Sequence, residues 1–118
     1  MKKVLFVFAA AALAATTSFA QATAVKGTLI DNACYKASMT QADLSQHTRA
    51  CALMDGCVKS GYSVVTADGH AYKLDAAGNE KVVAALNGSK QDADLKVTVD
   101  GTVSGDTIAV TKVMLDKM

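Results

Sequence analysis

Tyr62-Ser-Val-Val-Thr-Ala67-Asp68-Gly69-His70-Ala-Tyr-Lys-Leu-Asp75 reads as a complete β-hairpin. β-branched and aromatic residues fill both arms, and Asp68-Gly69 supplies the two-residue turn in which glycine accepts a positive φ. On its C-terminal side Asn79 reads as the cap of a short helix over Glu80 to Leu86, with Val82, Val83, Ala85 and Leu86 as apolar contacts and Gly88 as the stop. Leu95, Val97 and Val99 then alternate with Lys96, Thr98 and Asp100, the pattern of a half-buried strand. Ser104-Gly105-Asp106 turns the chain into a last strand, Thr107 to Val113. On the N-terminal side Ala24 to Asp31 reads as the first strand, with Gly27 marking a bend or bulge. The order strand, strand, strand, helix, strand, strand is that of the five-stranded OB barrel. The expected fold is therefore mainly β: a small OB-like barrel with one helix between strands 3 and 4.

Between the first strand and the hairpin lie about thirty residues, too many for an ordinary loop, so the segment needs structure of its own. Thr40-Gln-Ala-Asp43 predicts a helix start, with a threonine cap and an acid among the free N–H groups. From there Leu44, His47, Cys51 and Met54 recur at helical spacing, which predicts one helix with a single inward stripe, stopped at Asp55-Gly56. Cys57 then falls just past the helix, before a Lys59-Ser60-Gly61 turn. On this reading His47 and Cys51 face inward together, Cys57 folds back beside them, and Cys34 reaches the same place. The barrel thus carries a helical, Cys/His-bearing insertion between strands 1 and 2.

The first twenty residues read as an export signal. Lys2 and Lys3 precede an apolar run from Val4 to Ala15, and Ser18 and Ala20 offer small residues at the cleavage positions before Gln21. The run is shorter than the ~20 residues of a membrane span, and no cysteine follows the cleavage site directly, so no membrane anchor is expected after cleavage. Of the 118 residues, 21–118 form the expected single domain, in a periplasmic or secreted bacterial location. Removing Lys2 and Lys3 leaves 10 basic against 11 acidic residues. All three phenylalanines leave as well, so the core must be built from Val, Leu, Ile and Ala around Tyr35, Tyr62 and Tyr72.

The pattern Asp31-x2-Cys34, then His47-x3-Cys51-Ala-Leu-Met54-x2-Cys57-x2-Ser60-Gly61-Tyr62, resembles a family of small exported bacterial proteins of unknown function. The likeness extends to the Asp68-Gly69 hairpin, the Gly78-Asn79-Glu80-Lys81 helix start and the terminal strand pair. Many relatives carry proline where this chain has Asp55-Gly56, which makes the turn looser. The resemblance implies export and an OB-like barrel, and it implies no activity.

Three chemistries compete for the cysteines. A disulfide from Cys34 to Cys51 or Cys57 suits an exported small domain, and closing such a loop stabilises by about 3 kcal/mol in the chain-entropy view. It leaves one thiol over. Alternatively Cys34, His47, Cys51 and Cys57 converge on a metal: three thiolates and an imidazole fit zinc, and thiolates with Met54 or Met39 fit copper(I). Asp31 and Met54 are possible accessory groups, Asp31 serving either to orient a ligand or simply to end the strand. The plainer alternative to the metal is packing, with Leu44, Cys51 and Met54 as buried residues and His47 as a hydrogen-bonded core histidine. Thiol-redox catalysis is disfavoured, because Cys51 and Cys57 are not a Cys-x2-Cys pair and are expected towards a helix end, where the dipole opposes a thiolate.

Other classes find little support. A near-neutral charge and three tyrosines do not make the basic, aromatic groove of a nucleic-acid binder. His70 reads as a sheet residue, and Glu80, Lys81, Asp92 and Asp94 as solvated surface. The expected function is an exported binding domain holding a metal or small ligand through its Cys/His cluster, without catalytic activity. The alternative is a disulfide-braced structural or protein-interaction domain.

Overall fold

The structure is a computed structural model and describes residues 22–116; the export signal expected over residues 1–20 lies outside them. Its elements are β1 (Ala22–Asp31), α1 (Gln41–Ser45), α2 (Arg49–Ala52), α3 (Asp55–Ser60), β2 (Tyr62–Val65), β3 (Ala71–Leu74), α4 (Ala76–Asn87), β4 (Lys96–Ser104) and β5 (Thr107–Leu115). The strands close a barrel in the order β1-β2-β3-β5-β4, with β4 paired back to β1. Four of the five pairings are antiparallel and β3–β5 is parallel. This is the OB-like barrel expected from the element order.

All four residues of β2 are buried, as are Thr28 to Asp31 in β1. A strand with one wet face alternates, so something must cover the outer side here. Leu29, Tyr62 and Val64 join the barrel core with Val82, Leu86, Leu95, Val97, Val99 and Ile108. Their strand neighbours Ile30 and Val65 instead form a second cluster with Leu44, against which Cys34, Tyr35 and Met39 pack. The insertion between β1 and β2 therefore lies on the outer face of those two strands and seals it. Tyr62 ties the insertion to the core: its buried hydroxyl donates to the Ala52 carbonyl at 2.6 Å.

The insertion differs from the single helix predicted through Met54. Thr40 and Asp43 do form a reciprocal capping box, but α1 ends at Ser45 and two further short helices follow. Thr48 opens α2, its Oγ1 accepting from the Cys51 N–H at 3.1 Å. The break is tertiary in origin: Thr48 makes a β-bridge with Ala93, and the Arg49 N–H donates to the Asp92 carbonyl at 2.8 Å. Those bonds compete with continuation of the α1 helix. Asp55-Gly56 begins α3 instead of ending a helix, and Met54, the residue before it, is 60% exposed and off any inward stripe.

The fourth helix also starts earlier than predicted. Asp75 caps it, accepting from the Gly78 N–H at 2.9 Å, and it runs to the expected stop at Gly88. Asn79 lies inside the helix and its Oδ1 accepts from the Tyr62 N–H at 3.0 Å. Both side chains suit capping, and Asp75, directly after β3, occupies the position.

The glycine of β1, Gly27, sits at a close approach of two strands; the register irregularity of the barrel lies instead in β4, between Asp100 and Gly101. Around Gly27 β1 passes from pairing with β4 to pairing with β2, and a Cβ there would stand 2.3 Å from the Val65 carbonyl oxygen. Because the obstacle is backbone, Gly27→Ala should destabilise the fold by about 1–3 kcal/mol, the usual cost of overpacking. Urea unfolding of the reduced protein measures this; an unchanged midpoint would show that β1 does not approach β2 so closely.

Candidate metal centre

β1 ends at the Asp31-Asn32-Ala33-Cys34 turn, where the chain bends back on itself. The Asp31 Oδ2 accepts from the Cys34 N–H at 3.0 Å, and the Asp31 carbonyl accepts from the same N–H at 3.2 Å and from Tyr35 N–H at 3.1 Å. That Asx-type turn brings the Cys34 side chain to its own strand end. Cys51 is placed in the first turn of α2 by the Thr48 cap. Cys57 lies in the first turn of α3, which is clamped at its far end: Ser60 Oγ donates to the Cys57 carbonyl at 2.7 Å and accepts from the Ala33 N–H at 3.0 Å. Asn32 Nδ2 completes the clamp by donating to the Ser60 carbonyl at 3.0 Å.

These local devices converge. One carboxylate oxygen of Asp31 and the sulfurs of Cys34, Cys51 and Cys57 all lie within 4.8 Å of one another. Asp31 and Cys57 are buried, whereas Cys34 and Cys51 are half-buried. The group is therefore closed on the barrel side and open on the other.

Of the four residues expected from sequence to converge, the structure brings the three cysteines together with Asp31. His47 reaches them through that carboxylate. Its Nε2 lies 2.8 Å from Asp31 Oδ1, and the two side chains are 7% and 0% exposed. The two atoms meet without hydrogen-bonding alignment, so the fully buried carboxylate has His47 on one side and three thiols close by. Asp31 thus both ends the strand and enters the cluster. Met54 is exposed, and Met39 packs on the Ile30, Leu44 and Val65 cluster, its sulfur accepting from the Lys36 N–H.

The three cysteines are free, so the expected bridge from Cys34 to Cys51 or Cys57 is not formed. The sulfurs gather about a common centre with Asp31, with no pair at the ~2.05 Å of an S–S bond. Their helical positions also differ from expectation. Cys51 and Cys57 stand in first turns, not towards a helix end, because the long helix is broken at His47 and again at Met54.

Crowding raises two of the thiols, Cys34 and Cys57. Burial, then a hydrogen bond and the charge of Asp31, push Cys34 up to about 12. Burial and the same carboxylate raise Cys57. Tyr62, paired with Asp31 across β1 and β2, is raised to about 12 by burial and then by Asp31 and Cys57.

Comparison of the chain with protein-family models, with curated proteins and with solved structures gives no match. The chemistry of the centre is therefore argued from its residues.

A pH test follows from the raised Cys34. A folded value above the ordinary thiol range stabilises the fold fully below the ordinary value of 9.0, and that contribution is lost as pH rises towards 12. The Cys34 Cβ resonance of the reduced, metal-free protein should therefore show no thiolate at pH 9, and unfolding free energy should fall above it. Asp31→Asn removes the charge and should move the titration downwards, while burial keeps it above 9.0. A titration midpoint unmoved by Asp31→Asn would detach the carboxylate from the thiol.

Proposed function

We propose that this chain is an exported binding domain whose Asp31, Cys34, Cys51 and Cys57 hold one zinc ion. The observation that carries the reading is the mutual approach of those four ligand atoms to within 4.8 Å. In tetrahedral zinc with Zn–S near 2.3 Å, neighbouring ligand atoms stand roughly 3.8 Å apart. Contraction by about an ångström, within the reach of side-chain rotation, would complete such a site.

The donor set supports zinc over copper(I). Three thiolates suit either ion, but the carboxylate is a hard oxygen donor that zinc accepts readily. A cation at the shared centre would also compensate the fully buried Asp31 carboxylate. His47 then acts behind the ligand, fixing the carboxylate as outer partners of metal ligands do. Binding would release thiol protons, so affinity should rise with pH. The Lys2 and Lys3 start, the apolar run and the small residues before Gln21 support export.

Titration of the reduced protein with zinc, in competition with a chromogenic chelator and followed by native mass spectrometry, should give one ion per chain. Cys57→Ser should abolish tight binding, and His47→Ala should weaken it by about 10–100-fold, as loss of an outer partner does. Cobalt(II) should give the intense bands of a tetrahedral thiolate site. A reduced, folded protein that takes up neither ion would refute the zinc reading. Uptake of copper(I) alone would replace zinc with that ion.

A further inference from the structure

Three thiols within 4.8 Å of one another form more than a ligand set, because any two of them are placed to be oxidised together. They are not equivalent. Cys57 is 8% exposed, and its helix is clamped at Ser60 by bonds to Ala33 and Asn32. Cys34 and Cys51 are half-buried and stand on the open side of the cluster. Cys34 opens a stretch with no regular structure before α1, and Cys51 belongs to the four-residue α2. A small oxidant from solvent therefore meets Cys34 and Cys51 first. Bridging them requires the sulfurs to close from at most 4.8 Å to the ~2.05 Å of a disulfide. That movement is shorter than 3 Å, a distance that side-chain rotation in two short segments can supply.

We propose that the centre is oxidation-gated: a peroxide-class oxidant couples Cys34 to Cys51, and the bridge expels the metal. In the metal-free protein, one sulfur attacks the peroxide O–O bond and becomes a sulfenic acid, while the other oxygen leaves as water. The second sulfur then attacks the sulfenic sulfur, forming the S–S bond and releasing a second water. Two electrons pass from the two sulfurs to the peroxide, and the two thiol protons end in water. From the metal-bound state the same two protons come from solvent. Asp31 and Cys57 alone remain as donors, too few to hold zinc. Release rests on the zinc reading; the identity of the oxidised pair does not.

The experiment treats the reduced protein with hydrogen peroxide, with and without zinc, then alkylates, digests and maps the linkage by mass spectrometry. A chromogenic chelator reads free zinc in parallel. The expected result is an intramolecular Cys34–Cys51 bridge with Cys57 alkylated, in the wild type and in Cys57→Ser alike. Zinc affinity should fall by more than about 100-fold, beyond the upper range for loss of an outer partner, and a thiol reductant should restore it. A bridge involving Cys57, or no intramolecular bridge, overturns the pairing. Formation of the Cys34–Cys51 bridge with zinc retained overturns the gate while leaving the zinc reading intact. A reduced protein that never binds zinc overturns the zinc reading and the release step together, while the mapped linkage still decides the pairing.

Discussion

A single buried carboxylate organises this protein. Asp31 is the last residue of β1, fully buried, and paired in register with Tyr62 at the start of β2. Its Oδ2 folds the next turn by accepting from the Cys34 N–H, and its Oδ1 lies against His47 without an aligned bond. Three thiols crowd the same space. A charge buried among so many weak donors is costly unless something compensates it. Much of the insertion is arranged around that problem: Cys34 follows in the turn, His47 closes from the α1–α2 junction, and α2 and α3 each bring a cysteine.

The barrel can tolerate such a centre because the centre sits at its end and not in its core. Leu29, Val64, Val97, Val99 and Ile108 supply an apolar interior that does not depend on the cluster. The insertion is joined to that interior by Ala52 and by the Tyr62 hydroxyl bonded to the Ala52 carbonyl. On the outer face Ile30, Leu44 and Val65 hold α1 down. Short helices and turns linked by side-chain bonds can shift by ångströms at lower cost than a packed barrel strand. A site that must contract around a cation, or rearrange on oxidation, is well placed in such a segment.

Much of this was legible in the chain. The Tyr62 to Asp75 hairpin, whose turn closes between Thr66 and His70 and not over Asp68-Gly69 alone, the alternating Leu95 to Asp100 strand and the element order suffice for an OB-like barrel, because hydrophobic period is a local property. The Thr40 and Asp43 box was equally readable. Helical spacing misled over Leu44, His47, Cys51 and Met54, since periodicity has no knowledge of a partner strand. Thr48 bonds to Ala93 and Arg49 to Asp92, residues more than forty positions away. The role of Asn79 was hidden for the same reason, its side chain being used by β2 and not by its own helix.

By itself, the sequence determined which chemistry was available: three cysteines and a histidine in one insertion of a small β barrel, after a strand-ending aspartate. It also determined the barrel, through patterns that each element carries within itself. Only the tertiary structure decided that Asp31 joins the thiols, that His47 approaches them through Asp31, and that all three sulfurs share one centre without a bridge. Those facts depend on where three separate turns come to rest against the end of β1. That meeting is set by long-range packing and buried electrostatics, which no spacing along the chain encodes.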